Sequence, residues 1–364
     1  MARGTISYGR KANRVAAVTS AVVMAFAAVF IGVVLLLDAI APSNEPGDIV
    51  IESSKAAARG ADPFYVLLIG SDTRKGTALY TGKATDHAQV DQHSDVMTLV
   101  RVDPKRYKIS LLTIPRDTVI SGETNKINDA LLDNDPTQVV DAVQRLTGLR
   151  ADYYMMTTFS TFEALVNSID GIDVDVPLDI EVGDPATGGT VKVKAGKNQH
   201  LDGSKTLAFA RARHEYVEDQ DYYRQRNVRA IERAIIEKVL TYPDAVDVEH
   251  MLASVETDVK TDVDLAQLGG VILDFIKHAD KVTFIQGTGP YGGGPRESDG
   301  QWVVDEDVKT WKKVMKAFKK GKEYSEIVSK AEAKKRAEKE RAAKRASKSS
   351  SSSSAKSSSS SSAK

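Results

Sequence analysis

Apolar and polar positions in this 364-residue chain fall into blocks whose period changes along the sequence. Residues 64–69, Phe-Tyr-Val-Leu-Leu-Ile, form an unbroken apolar run closed by Gly70, the pattern of a strand covered on both faces. Residues 96–102 and 108–114 predict two further strands, joined through the turn-forming Asp103-Pro104-Lys105-Arg106. Asp135-Pro136 supplies an N-cap and an N1 proline for a helix reaching about Leu146. Residues 153–158 read as a strand, and Ser160-Thr161-Phe162-Glu163 as a capping box that opens a helix to Ser168, with Phe159 as its staple. Residues 172–180 alternate apolar with acidic and predict one strand. After Leu201-Asp202-Gly203 a short helix leads to Phe209, and a helix over 222–240 sets Val228, Ile231, Ile235 and Val239 on one face. Helices at 246–255, 265–278 and 306–318 and a strand at 282–286 complete the domain. Strands interleaved with helices predict an α/β fold with helices on both faces of a sheet.

Residues 15–37 run for about 23 positions without a charge, long enough to cross a bilayer. Basic residues precede this run and Asp38 follows it. The expected orientation therefore has residues 1–14 in the cytoplasm, 15–37 as a single transmembrane anchor and everything beyond outside the cell. Ala39-Ile40-Ala41 offers a rival reading as a signal-peptidase site, but the apolar run exceeds the usual h-region. Residues 38–61, with Pro42, Pro46 and Gly47, read as a linker, and 62–320 as the extracytoplasmic domain. Residues 321–364 form a tail, helix-prone from Ser329 to Arg345 and then serine-rich, which cannot bury enough surface to fold.

The formal net charge of +0 conceals three regions. The N-terminus carries +4 through Arg3, Arg10, Lys11 and Arg14, and residues 320–364 carry +8, so the stretch between carries −12. An acidic domain does not attract an anionic substrate by its overall field, and any anion site must be assembled locally from arginines. DNA binding is excluded on the same ground, since only about 14 basic-leaning residues face the cytoplasm. The chain has no cysteine, hence neither disulfide nor thiolate metal site. It also lacks a His-x-x-x-His pair for zinc and a Gly-x-Ser-x-Gly elbow for serine hydrolysis.

The candidate chemistry lies in short motifs at element ends. Gly70-Ser71-Asp72-Thr73-Arg74 and His93-Ser94-Asp95 close or open apolar strands. Ile114-Pro115-Arg116-Asp117, Arg211-Ala212-Arg213 and Arg224-Gln225-Arg226 supply arginines from three distant places. Guanidinium forks grip phosphate oxygens in pairs, and carboxylates beside them suit metal-assisted phosphoryl transfer. Read as an extended segment, Arg211 and Arg213 point to one face. Arg224, Arg226 and Arg229 near a helix start oppose its dipole unless an anion sits there. Each residue also has a duller reading: Asp72 and Asp95 as turn caps, Arg116 in a structural salt bridge with Asp117, Arg211 and Arg213 on a solvated edge.

The ordered series, with Asn125-Lys126-Ile127-Asn128-Asp129-Ala130 and Leu201-Asp202-Gly203 through Arg213, resembles the LytR-CpsA-Psr family over roughly residues 64–240. The resemblance implies a central mixed β-sheet sandwiched by helices, in a single-pass cell-membrane protein with its domain outside. It implies an enzyme that moves glycopolymer from a polyprenyl-diphosphate carrier to peptidoglycan with Mg²⁺. By resemblance, Asp72 and Asp95 hold the metal. Arg116, Arg211, Arg213 and Arg224 grip the diphosphate, with Arg74, His93 and Arg226 placed in the same binding set. Asp72, Asp95 and Asp117 are open candidates for the base. Three positions depart from the family pattern: His93 stands where arginine is usual, Asn227-Val228 where Arg-Gln is usual, and Asp170-Gly171 where two glycines are common. Two other functions remain open, a polyprenyl-diphosphate phosphohydrolase using the same site and a non-enzymatic wall-binding or regulatory protein.

Overall fold

A computed structural model describes residues 62–72, 92–132, 134–184, 187–217, 220–241, 259–262, 274–338 and 341. The expected anchor at 15–37, Arg74, the helix at 246–255 and most of that at 265–278 lie outside the described residues. Among the described residues no helix is long and apolar enough to cross a membrane.

The apolar run at 64–69 becomes strand β1 (Phe64–Ser71), beside β2 (Ser94–Asp103) and β3 (Lys108–Thr113). With β5 (Tyr153–Thr157), β10 (Lys260–Thr261) and β11 (Thr283–Thr288), these make one six-stranded mixed sheet in the order β10-β5-β1-β2-β3-β11. Strands β1, β2 and β3 pair antiparallel with one another, whereas β5 lies parallel to β1 and β11 parallel to β3. Successive side chains of a strand point to opposite faces. In β1, Val66 and Leu68 accordingly join one core cluster, and Leu67 and Ile69 the other. Both faces are dry because both carry helices, which is why the run is continuous rather than alternating.

On one face lie α1 (Pro136–Thr147) and α5 (Val308–Phe318), which contribute Val139, Val143, Trp311 and Val314. On the other lie α2 (Phe159–Ser168), α3 (Gly203–Arg211) and α4 (Gln220–Val239), contributing Leu165, Phe209, Ile231 and Ile235. Gly203 permits the close approach of α3 to α2, because a Cβ there would lie 2.2 Å from the carbonyl oxygen of Glu163. A helical segment over 325–338 follows α5, and Tyr324 and Val328 are buried in the second cluster, so packing extends beyond residue 320.

Several local expectations are corrected. The strand expected over 172–180 breaks into β6 (Ile172–Val176) and β7 (Ile180–Gly183). Pro177 lies in the gap and has no N–H to give a ladder. The α2 cap is Thr158, whose hydroxyl accepts from the Thr161 N–H at 3.3 Å, so Ser160 stands inside the helix. Helix α3 runs on through Arg211 instead of ending near Phe209, so Arg211 and Arg213 do not share an extended segment. Asp170 adopts φ 60° beside Gly171 at φ 72°. The position where the family pattern favours glycine thus keeps a left-handed backbone here without one.

Candidate functional site

The topology alone brings the motifs together. Because β1 and β2 are antiparallel with Ser71 opposite Ser94, the end of β1 meets the start of β2, placing Asp72 near Asp95. Strand β3 returns beside β2 with Thr113 opposite Thr98, and the loop that follows carries Arg116 to the same sheet edge. Parallel β5 ends there too, with Thr157 opposite Gly70. The first turn of α4 then covers this edge with Asp221 and Arg224.

At this edge opens a cavity of about 460 Å³. Asp95, Arg116, Arg211, Arg213 and Arg224 line it together with Val96, Phe159, Phe162, Leu207, Val228 and Ile231. Its lining thus combines four arginines and a large apolar share with the acids Asp95, Glu181, Glu215 and Glu232, and the arginines with the apolar residues are the partners an amphiphilic anion needs. Arg116 pairs closely with Asp95, and its Nε lies 3.8 Å from Asp117 and 3.9 Å from Asp221. Burial alone would lower its pKa, but these three carboxylates hold the guanidinium above its usual value. Arg224 donates to the Asp95 carbonyl at 2.9 Å through Nη1 and to Asp221 at 2.9 Å through Nε. Arg211 donates to the Gly183 carbonyl at 2.6 Å and stands 5.3 Å from the Phe159 ring centre, which fixes it at the rim.

Arg213 is different. Its side chain has no hydrogen bond or ion pair among the described residues, and its Nε is buried without a partner. Burial and the neighbouring charges of Arg116 and Arg224 push its pKa down. A half-buried cation crowded by other cations, whose charge Asp221 and Asp117 only partly offset without bonding to it, is a place prepared for an anion.

Asp72 accepts from the His93 backbone N–H at 2.8 Å. Burial, with repulsion from Asp95, raises its pKa. His93 stands between two carboxylates, with Nδ1 3.5 Å from Asp72 and Nε2 3.4 Å from Asp129, and it is not part of the cavity wall. Arg226 points away from its neighbour Arg224 and lines a smaller separate cavity of about 270 Å³ with Tyr222 and Tyr291. Arg229 is buried and donates to Thr113 Oγ1 at 2.8 Å. Asp117 is held by Lys126 at 2.8 Å. The cavity thus gathers Asp95, Arg116, Arg211, Arg213 and Arg224, while Asp72 and His93, in contact with each other, lie outside its lining and Arg226 faces another cavity.

Sequence reading missed two acids. Asp221 braces Arg224 and Arg116, and although burial opposes it, these arginines hold its pKa down at about 2. Its position three residues before Arg224 on a helix was the available signal. Glu232 lies at the inner wall of the cavity, fully buried, with neither carboxyl oxygen hydrogen-bonded among the described residues. Burial raises its pKa to about 7, and the positive charge of Arg229 only partly opposes the shift. The folded state therefore keeps a proton that the unfolded chain has lost. Stability from this group is complete below about 4.5, falls as pH rises towards about 7, and is flat above that. A shift of this size corresponds to roughly 3 kcal/mol. In Glu232→Gln, urea unfolding at pH 5 and pH 8 is expected to show that loss removed, so the variant gains on wild type at pH 8. Equal gains at both pH values would contradict the assignment.

Among the described residues no group of three or more His, Asp or Glu side chains could hold a metal by itself. The pair Asp72 and Asp95, one with a pKa raised partly by the other, does suit a divalent cation that takes its remaining ligands from phosphate and water.

Residues 40–320 match the LytR_cpsA_psr family, so the chain belongs to it. Over 246 residues the chain is 27% identical to the polyisoprenyl-teichoic acid–peptidoglycan teichoic acid transferase TagU of Enterococcus faecalis, covering 65% of this chain and 75% of that protein. Over 214 residues it is 27% identical to the transferase TagV of Bacillus subtilis, covering 56% of this chain and 51% of that one. Its fold matches a solved TagT bound to LIIa-WTA with a TM-score of 0.55 at 22% identity, over 72% of this chain and 91% of that structure.

Proposed function

We propose that this member of the LytR_cpsA_psr family transfers a glycopolymer from a polyprenyl-diphosphate carrier to a sugar hydroxyl of peptidoglycan. The observation that carries the reading is Arg213, without a side-chain partner among the described residues and close to Arg116 and Arg224, in the lining of a cavity that also offers apolar surface. A prenyl diphosphate has the matching combination of charge and grease. The names of the TagU and TagV relatives support the same donor and acceptor classes.

In the reaction, the acceptor hydroxyl oxygen attacks the phosphorus that bears the polymer. The bond from that phosphorus to the bridging oxygen breaks, and the prenyl phosphate leaves with the electron pair. The hydroxyl proton passes to solvent or to a carboxylate at the mouth. Arg116, Arg213 and Arg224 neutralise the non-bridging oxygens, and Arg211 is fixed where the diphosphate enters. Asp221 orients Arg224 and keeps Arg116 in place without meeting the substrate. Asp72 and Asp95 would hold Mg²⁺, which supplies Lewis-acid charge at the diphosphate when bound. Residues 15–37 would keep the domain at the outer membrane surface, beside its lipid-borne donor.

The test is product analysis. Full-length protein in vesicles, given a lipid-diphosphate-linked glycopolymer and peptidoglycan, is expected to yield polymer joined to peptidoglycan through a phosphodiester. Release of free phosphorylated polymer at the same rate with and without peptidoglycan would instead establish a hydrolase.

A further inference from the structure

A second groove shares no lining residue with the arginine cavity. It has a volume of about 910 Å³ and includes Tyr291, Trp302, Asp305, Glu306 and Asp307, with the 325–338 segment as its far wall. It meets the smaller cavity of Tyr222 and Arg226 at Tyr291, which lines both. The rings of Tyr222 and Tyr291 lie 4.6 Å apart where the two spaces meet.

One side of the groove is fastened to the loop that follows Arg116. Tyr222 sits in the first turn of α4 between Asp221 and Arg224. Trp302 begins β13 (Trp302–Asp305), which runs parallel to β4 (Thr118–Val119) just after Arg116 and Asp117. The Val304 N–H donates to the Asp117 carbonyl at 2.8 Å, and the Ser121 N–H to Glu306 at 2.7 Å. The Trp302 side of the groove is therefore held against the segment that carries Arg116 and Asp117.

The lining indicates what such a ligand is. Trp302 is 55% exposed, a large apolar ring left facing solvent. Asp305 is exposed and has no partner among the described residues, so its carboxylate is free to accept hydrogen bonds. The groove carries five acids, Asp305, Glu306, Asp307, Glu332 and Glu338, against Lys335 and Arg336. That balance repels a phosphate-rich polymer, which disfavours the donor chain. It accepts an uncharged chain that has an apolar ring face and many hydroxyls. We propose that the groove binds the acceptor as an uncharged N-acetylhexosamine glycan stacked on Trp302 and Tyr291. The assignment of acceptor, though not the binding of sugar, rests on the transferase reading above.

The chain has two tryptophans, and Trp311 is buried. Acrylamide quenching of full-length protein therefore reports mainly on Trp302. A β-1,4-linked N-acetylglucosamine oligomer is expected to protect this fluorescence in wild type. Trp302→Phe, which keeps a ring, is expected to bind the oligomer within about twofold of wild type. Trp302→Ala is expected to bind it about tenfold more weakly and to raise the acceptor KM by a similar factor, with kcat little changed. Arg213→Ala is expected to keep the protection while losing donor affinity. If wild type shows no protection, or if Trp302→Ala binds the oligomer as tightly as wild type, the groove is not a glycan site. Equal protection by anionic glycopolymer would assign it to the donor and overturn the proposal. Protection without any transfer in wild type would leave the sugar site standing and remove the transferase reading instead.

Discussion

Arg213→Ala is expected to lower polymer transfer by a factor of roughly 10² to 10³, the scale for losing one preorganised charge partner of a transition state. The same change is expected to leave the thermal midpoint unchanged or slightly raised. These two outcomes belong together. Arg213 makes no side-chain bond among the described residues, so its truncation breaks none of them. Its charge is disfavoured by burial and by Arg116 and Arg224, so its removal relieves repulsion in the unliganded protein. A cation that weakens the resting fold and strengthens the reaction is the signature of a ligand site. Arg213→Lys restores the charge but not the planar fork and is expected to recover only part of the loss. Melting curves and single-turnover rates on the same preparations separate the cases. A large fall in stability with a matching fall in rate would make Arg213 structural and would remove the central support for the phosphotransferase.

The contrast with Arg116 shows why one arginine is more informative than the others. Arg116 is embraced by Asp95, Asp117 and Asp221. Its loss would strand buried Asp117 and the partly buried Asp95 and Asp221, and the resulting drop in stability would blur any effect on rate. Arg224 is committed in the same way to Asp221 and to the Asp95 carbonyl.

How much of this was readable in the chain depends on the residue. The apolar runs at 64–69, 96–102 and 108–114 specified three adjacent strands because each is covered on both faces. Antiparallel pairing then forces the motif ending β1 against the motif opening β2, so Asp72 and Asp95 had to be neighbours. The arginines were harder. Alternation in Arg211-Ala212-Arg213 looked extended, but Leu207, Ala208 and Phe209 bury a helical face, and packing carries α3 through Arg211. On α4, 3.6 residues per turn puts Arg226 about 200° from Arg224, which already points it away from the shared cavity. His93 follows a different logic. An imidazole between Asp72 and Asp129 braces two acids, which depends on the position of Asp129 and cannot be read from the local sequence. Glu232 was hidden by its neighbours, since Val228, Ile231 and Ile235 mark that side of α4 as core.

Removing divalent cations is expected to lower transfer by roughly 10² or more. The arrangement of acids makes a sharper statement than the loss of rate. Asp72 and Asp95 are a pair, and Asp95 is already shared with Arg116. Two carboxylates, one of them partly neutralised, are a weak site for a cation that must give up water, so the diphosphate has to complete the coordination. Binding of cation and donor is therefore expected to be mutually dependent: Mg²⁺ weak alone and tighter with prenyl diphosphate, and the donor tighter with Mg²⁺ by the same factor. Calorimetric titrations in both orders measure that factor directly, apart from turnover. Asp95→Asn removes one carboxylate charge and the closest of the three acids around Arg116, so it is expected to abolish most of the coupling while the donor still meets the arginines. Full turnover in chelator, or Mg²⁺ affinity unchanged by donor, would mean that the four arginines neutralise the diphosphate unaided and that Asp72 and Asp95 serve only to position them.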